Sequence, residues 1–447
     1  MQSSETSPRP FAVTHRSVMA IAVPMTLAFV TTPLLGLTDT AVVGRTGSAE
    51  ALAGLAIAAV FFDLIFSATG FVRASTTALT AQALGRDDIA EQQAVFWRSF
   101  LLSLGLGLCV LLLSPLLLNG GLLAMGVAGE VATAASSYFT IRILAAPLTL
   151  ANYTLLGSVL GRGRGTVGLI LQILLNGTNI VMSIWLGIGL DLGITGVAWG
   201  TVIGEAVAFL AGLVYVLGSF GGAARPRPAA ILARGPILAL LSINRDIMIR
   251  SLALVAAFAI MTRIGASFGA ETLAANALLM NLFLIASFFL DGMANAAEQI
   301  TGRAVGSAYR PAFDRAVRLT MLWSFGLGAG CALFFIVFGG PLIDVMTTAE
   351  SVRAIGRDYL VWAAATGLTG ALAFQMDGVF IGATWSSQMR NMMLLSLAGY
   401  IVALLALVPS FGNHGLWLSL NLFLALRGIT LLSRCRRLTD QTFTASQ

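Results

Sequence analysis

Residues 101–118 and 252–261 run through leucine, valine, alanine, phenylalanine and other small or apolar side chains without one charge. No other feature narrows the fold so far. Stretches like these, repeated along a chain, need lipid rather than water as their solvent. In lipid every backbone polar group must be satisfied internally, which leaves helices or a closed β-barrel. Barrel strands alternate apolar and polar residues, and these runs do not, so helices follow. The whole chain agrees: only 10% of its 447 residues are charged and its mean hydropathy is +0.88, against roughly 25% charged in a soluble domain. Apolar segments broken by glycine, proline and arginine fall near 17–42, 51–83, 94–118, 130–160, 166–189, 195–218, 237–264, 272–301, 312–338, 358–383, 392–409 and 415–433. That pattern predicts an all-α polytopic membrane protein with twelve transmembrane helices.

Charge orients them. All 26 basic residues other than histidine are arginine. Sixteen lie in the tails and alternate loops at 1–16, 84–93, 161–165, 219–236, 302–318, 384–391 and 434–447, and three lie in the loops between. Positive residues stay cytoplasmic, so both termini are expected inside. The same scatter over short loops argues against nucleic-acid binding. Cys109, Cys331 and Cys435 form no pairing pattern, so no structural disulfide is expected. The first apolar run is too long for a signal-peptide core and reads as a retained span.

The chain also repeats itself. Ser48-Ala-Glu-Ala-Leu-Ala53 matches Gly269-Ala-Glu-Thr-Leu-Ala274, and Leu79–Gly85 matches Ile300–Gly306. Tyr138 matches Tyr359, Gly157 matches Gly378 and Gly161 matches Gly382, all at an offset of 221 residues. Gly193 and Gly196 match Gly412 and Gly415 at an offset of 219. The expected organisation is a cytoplasmic tail (1–16), a six-helix half (17–218), a cytoplasmic linker (219–236), a second six-helix half (237–433) and a cytoplasmic tail (434–447). Six spans per repeat make the halves parallel and pseudo-symmetric, the arrangement in which transporters commonly place substrate between halves.

An ionisable group inside a span costs at least about 2.5 kcal/mol on insertion scales. Asp39, Asp63, Glu205, Asp246, Asp291, Glu298 and Asp377, with Arg73, Arg142, Arg250 and Arg427, are the candidates. At the repeat offsets Asp39 faces Ile260, Asn179 faces Tyr400, Glu298 faces Thr77 and Thr201 faces Leu420. Polarity carried by one half alone is not required by the fold common to both. Gln172, Asn176, Asn179 and Ser183 share one helical face, which should front a wet cavity or other polar helices. Asp39, Thr201, Tyr138 and Asn179 all fall in the outer half of the bilayer, within about 10 Å of one level at roughly 1.5 Å per residue. A carboxylate, an amide, a hydroxyl and a phenol can supply oxygens for a hard cation or partner a protonated Asp39. Pro24 and Pro33 precede Asp39 in the first span, where a proline removes a backbone bond and permits a kink. Glu298 and Asp377 are candidates for a path taken by a cationic substrate, with pairing to an arginine such as Arg303 as the structural alternative.

No Cys/His metal cluster, phosphate-binding glycine loop or nucleophile elbow stands out, so neither an enzyme nor a cofactor is expected. Thr38-Asp-Thr-Ala-Val-Val-Gly44 with Ala51-Leu-Ala-Gly54, Ala297-Glu-Gln-Ile-Thr-Gly302, and Asp377-Gly-Val-Phe-Ile-Gly-Ala-Thr384 followed by Met389-Arg-Asn391 resemble the multidrug and toxic compound extrusion (MATE) family. In detail they resemble its DNA-damage-inducible protein F branch. The resemblance covers nearly the whole chain. It implies alternating access and export of amphipathic or cationic small molecules in exchange for H+ or Na+, in the inner membrane of a bacterium, by a monomer in contact with membrane lipids. It also implies a cation site whose positions fall on Asp39, Tyr138, Asn179 and Thr201, and a bend at Pro24. Ser183 stands where some relatives carry a second Asp. A site with one formal charge favours H+ as the coupling ion, with Na+ on Asp39, Asn179 and Thr201 as the alternative. A lipid or lipid-linked flippase is the competing transporter reading, and a polytopic membrane enzyme the competing reading from another class.

Overall fold

The computed structural model describes residues 9–45, 48–67, 69–221, 223 and 226–444, and among them there are helices and no strands. The elements are α1 (His15–Gly44), α2 (Ala49–Ser67), α3 (Phe71–Gly85), α4 (Ile89–Leu112), α5 (Ser114–Met125), α6 (Gly129–Arg142), a short 3-10 turn (Ile143–Ala145), α7 (Ala146–Gly161), α8 (Gly165–Ile184), a π-helical turn (Trp185–Gly189), α9 (Gly193–Ser219), α10 (Pro228–Ile231), α11 (Arg234–Ala266), α12 (Ala270–Gly306), α13 (Arg310–Met346), α14 (Glu350–Gly382) and α15 (Ser386–Thr444). By length and composition, ten helical stretches can cross a membrane. One of them, α15, carries two passes, because its 59 residues break at Gly412 (φ 54°, ψ −129°). The 33 residues of α14 reach about 50 Å at 1.5 Å per residue. The twelve expected passes are thus accounted for.

Local chemistry sets the ends. Asp88 caps α4, its carboxylate accepting from the Glu91 amide at 2.9 Å. Prolines open α5, α7, α10 and α13, where the missing N–H has no intrahelical partner to lose. Large apolar side chains point outward along many of the helices, with Leu112 80%, Leu123 84%, Val345 87% and Leu405 73% exposed. Such patches would aggregate in water, and they suit hydrocarbon.

The described residues pack as two compact units, one of residues 27–84 and 88–241, the other of residues 9–26, 85–87 and 242–444. Thus α1 is shared, its residues through Thr26 packing with the second unit. The 219–236 linker is partly helical: α10 forms inside it and α11 begins at Arg234. Arg98 of α4 anchors α10, donating from Nη2 to the Ala230 carbonyl at 2.9 Å and from Nε to that of Ile231 at 3.2 Å. Its Nη1 meets Glu91 Oε1 at 2.8 Å.

Each unit repeats the other's internal geometry. In the first, a Cβ added to Gly157 or Gly161 of α7 would strike the carbonyls of Arg73 and Thr77 on α3. In the second, a Cβ on Gly378 or Gly382 of α14 would strike those of Ala294 and Glu298 on α12. Glycine and carbonyl alike are displaced by the same 221 residues. Left-handed backbone recurs the same way, at Asp87 (φ 58°) and Ala308 (φ 50°), at Gly163 (φ 71°) and Thr384 (φ 57°), and at Gly193 (φ 55°) and Gly412 (φ 54°). The repeat conserves these turns even where the residue is not glycine.

Candidate functional site

The first unit draws its polar residues together at the meeting of α1, α6, α8 and α9. Gly200 and Gly204 lie one turn apart on α9, facing α8. A Cβ on Gly200 would come within 2.6 Å of Ser183 Oγ and 2.7 Å of its amide nitrogen, and one on Gly204 within 2.9 Å of the Leu175 carbonyl. Small residues at this spacing let two helix backbones approach closely in a membrane. That approach sets Thr201 against Asn179, whose Nδ2 donates to Thr201 Oγ1 at 3.0 Å. Thr201 in turn donates to the Val197 carbonyl at 3.3 Å. Just beyond Ser183, α8 widens into the π-helical turn, and Gly187 there has no room for a Cβ against Val42 of α1. This contact brings α1 to α8 close to Asp39.

Ser183 is the bridge. Its hydroxyl lies 3.3 Å from Asp39 Oδ1 and 3.2 Å from Asn179 Oδ1. A hydroxyl has one proton to give, so it serves one of these two acceptors at a time. Two turns before Ser183 on α8, Asn176 Nδ2 donates to Thr31 Oγ1 of α1 at 2.6 Å. Tyr138 of α6 is 2% exposed, its ring edge-on to Phe62 with centroids 6.1 Å apart, and its phenol interacts with Thr201 and Arg142. Among the described residues no arginine or histidine makes a salt bridge to Asp39. Asp39, Tyr138, Asn179, Ser183 and Thr201, named from sequence, therefore share one network. Of the polar α8 face, Asn176 joins it through α1, and Gln172 is half-buried toward the Gly165 end of α8.

Sequence reasoning named Arg142 among the ionisable residues within spans but did not place it beside Asp39. Its guanidinium carbon sits 4.3 Å over the Phe62 ring, and its charge acts on Asp39, Asp63 and Glu205. The signal was available: at the repeat offset Arg142 faces Ala363, the same one-sided polarity that singled out Asp39.

Asp377, in the other unit, is held differently. Arg250 of α11 and Arg427 of α15 both donate to its Oδ2, and the Arg427 side chain is 1% exposed. The expected alternative partner, Arg303, instead stacks over the Phe11 ring at 4.3 Å. Glu298 is 2% exposed where α12 and α14 cross. Pro24 lies within α1, which runs helical through it to Gly44.

The MatE family model matches this chain twice, over residues 24–185 and 247–407. The chain is 36% identical over 435 residues to "DNA damage-inducible protein F" of Escherichia coli, covering 94% of this chain and 92% of that one. It is 27% identical to a "Probable multidrug resistance protein NorM" of Deinococcus radiodurans, with 94% of each chain covered. The fold is similar to a solved structure described as the outward-facing conformation of a multidrug resistance MATE family transporter of the MOP superfamily. There the TM-score is 0.86 at 17% identity, over 96% of this chain and 97% of the other.

Proposed function

The chain belongs to the MatE family, and from that premise we propose that it is a proton-coupled antiporter that exports amphipathic or cationic small molecules. That it is a membrane transporter of this efflux family, and not an enzyme, follows from the membership itself. The observation that carries the proposal is the setting of Asp39, a carboxyl within a membrane helix whose hydrogen-bond partner is a hydroxyl and which makes no salt bridge among the described residues.

The geometry suggests how a proton would be read. With Asp39 ionised, the Ser183 proton points to the carboxylate, and Asn179 Oδ1 lacks that donor. When Asp39 takes a proton it can itself donate to Ser183 Oγ. The Ser183 proton then turns to Asn179, whose amide already donates to Thr201. One proton thus reverses a bond linking α1 to α8 and completes a chain that runs on to α9. A conformation that binds the protonated form better is populated in proportion to that difference. Substrate and proton would compete for the two states.

Arginine asymmetry supports both termini and the 219–236 linker on the cytoplasmic side of a bacterial inner membrane. A cysteine at the exposed Ala223 should be labelled by a membrane-impermeant maleimide only from that side. Coupling is tested in proteoliposomes with a pH gradient and no Na+ gradient, and then the reverse. The pH gradient alone should drive transport. Transport under Na+ alone, absent under the pH gradient, would replace H+ by Na+ held by Asp39, Asn179 and Thr201.

A further inference from the structure

Glu205 is the one acid of the first unit that is buried among the described residues, 9% exposed, and the network above does not use it. It lies one turn along α9 from Thr201, on the same face, near the middle of that 27-residue helix. Asp39, five residues from the outer end of α1, is nearer the surface.

The groups that hydrogen-bond the Glu205 carboxyl are neutral. Asn152 of α7 donates from Nδ2 to Oε2 at 2.6 Å and to the Glu205 backbone carbonyl at 3.0 Å. Thr149, one turn before Tyr153 on α7, also meets the carboxyl. Its hydroxyl also lies 3.2 Å from the Ala145 carbonyl. Asn152 and Thr149 are both neutral, so the buried carboxyl is hydrogen-bonded without a countercharge, a setting in which an acid can be neutral by holding a proton. No salt bridge reaches Glu205 among the described residues. The charged and titratable groups facing it are Arg142 from α6 and Tyr153 from α7, with Asp63 of α2 and Arg73 of α3 acting on Tyr153 beyond. From α8, the groups at this level are Leu175 and Asn179, which are neutral. Arg142 is committed to the rings of Phe62 and Tyr138.

We propose that Glu205 is a second proton-binding site in this half, holding a proton at mid-depth between the Asp39 network and the cytoplasmic side. Binding needs no co-reactant: the carboxylate takes a proton and returns it. In position it is the next buried acid inward from Asp39. A proton admitted from outside would leave through it. The role, though not the proton itself, rests on the proton-coupled reading.

The test is infrared difference spectroscopy of the purified full-length protein in lipid nanodiscs, taken between alkaline and acid pH in the carboxylic-acid carbonyl region. Wild type should show, among its titrating carboxyls, one component from Asp39 and one from Glu205. Glu205→Gln should remove one and leave the one that Asp39→Asn removes. Glu205→Asp, which keeps the acid, should shift that component rather than abolish it and serves if the glutamine variant does not fold. A Glu205→Gln or Glu205→Asp spectrum identical to wild type overturns the proposal, because Glu205 then exchanges no proton. If the transport assay instead finds Na+ coupling, Asp39 should respond to Na+ in these spectra while the Glu205 component stays. Failure of one reading is therefore visible without failure of the other.

Discussion

The two halves share a scaffold and handle buried charge in opposite ways. Both cross a glycine-bearing helix over a partner helix at equivalent carbonyls, α7 on α3 and α14 on α12. In the first half, Asp39 hydrogen-bonds one hydroxyl at the head of a relay of neutral groups, and the Arg142 charge acts on it without a salt bridge. In the second, Asp377 is clamped by two guanidiniums. Elsewhere in that half Asn276, Asn413 and Trp417 satisfy one another, at 2.8, 2.9 and 2.8 Å, with no charge at all. A carboxylate matched by cations keeps its charge, because losing it would strand them in a poor dielectric. A carboxyl matched by neutral dipoles can take or release a proton with little rearrangement. Duplication supplies the frame, and divergence of a few side chains decides which half is free to change charge.

The strongest challenge to this contrast is a pair of isosteric variants. Asp39→Asn should fold and reach the membrane in normal amount yet lose transport about tenfold or more, tenfold being 1.4 kcal/mol of barrier. Asp377→Asn should show its effect in folding first. Removing one partner of a buried ion pair costs about 3–5 kcal/mol, and here two arginines are left behind. Detergent-solubilised yield and melting temperature separate the cases. A stable Asp377→Asn protein with no transport would reverse the assignment of roles.

A triple change sharpens the second half of the comparison. Replacing Arg250, Asp377 and Arg427 together by Met, Leu and Met removes the charges along with their need for one another. Buried ion pairs replaced by apolar groups of similar volume are often neutral or stabilising, by about 1–4 kcal/mol. The triple variant should therefore melt above Asp377→Asn. Once folded, it should keep the wild-type pH dependence while its range of exported dyes changes. A pH dependence lost in the triple variant would place coupling charge in the second half as well.

The shared scaffold predicts a symmetric outcome. Gly157→Val and Gly378→Val each push side-chain atoms into a helix backbone, at Arg73 and Ala294 respectively. Overpacking of this kind costs about 1–3 kcal/mol, and the loss of melting temperature should be similar for the two. Damage confined to one variant would mean that the halves repeat in sequence more closely than in mechanics.

The fold was legible because its signals are one-dimensional. Apolar runs, arginine placement and a constant offset need no knowledge of side-chain contacts. The Asp39 network was legible for a related reason: Asn179 and Ser183 share a helical face, and depth along each helix can be counted. What stayed hidden depends on reach between helices. Arg303 looked a plausible partner for Asp377, but the side chains that meet it come from 127 and 50 residues away. Arg142 reaches the Phe62 ring of α2, which no periodicity connects to it. That Ser183 reaches both Asp39 and Asn179 is equally invisible in sequence, since the helices are brought together by the close contacts of Gly187 and Gly200.

The smallest expected effect tests the relay at its narrowest point. Among the described residues Ser183 joins Asp39 to Asn179, and Ser183→Ala removes that one hydroxyl without disturbing the packing. A single intramolecular hydrogen bond is worth about 1 kcal/mol net, so transport should fall about fivefold, well short of the loss in Asp39→Asn. Gly200→Ala approaches the same point from outside. Its new Cβ would stand 2.6 Å from Ser183 Oγ and 2.7 Å from the Ser183 nitrogen, so the helices must part or the hydroxyl must turn away. It should slow transport by a similar factor while leaving Ser183 in place. If both act by opening the same bond, the double variant should be little worse than either single one, the non-additivity expected of residues in contact. Transport measured in the four proteins under one pH gradient decides the matter. Losses that multiply would show that Gly200 acts through helix packing alone and that Ser183 is not the bridge between α1 and α8.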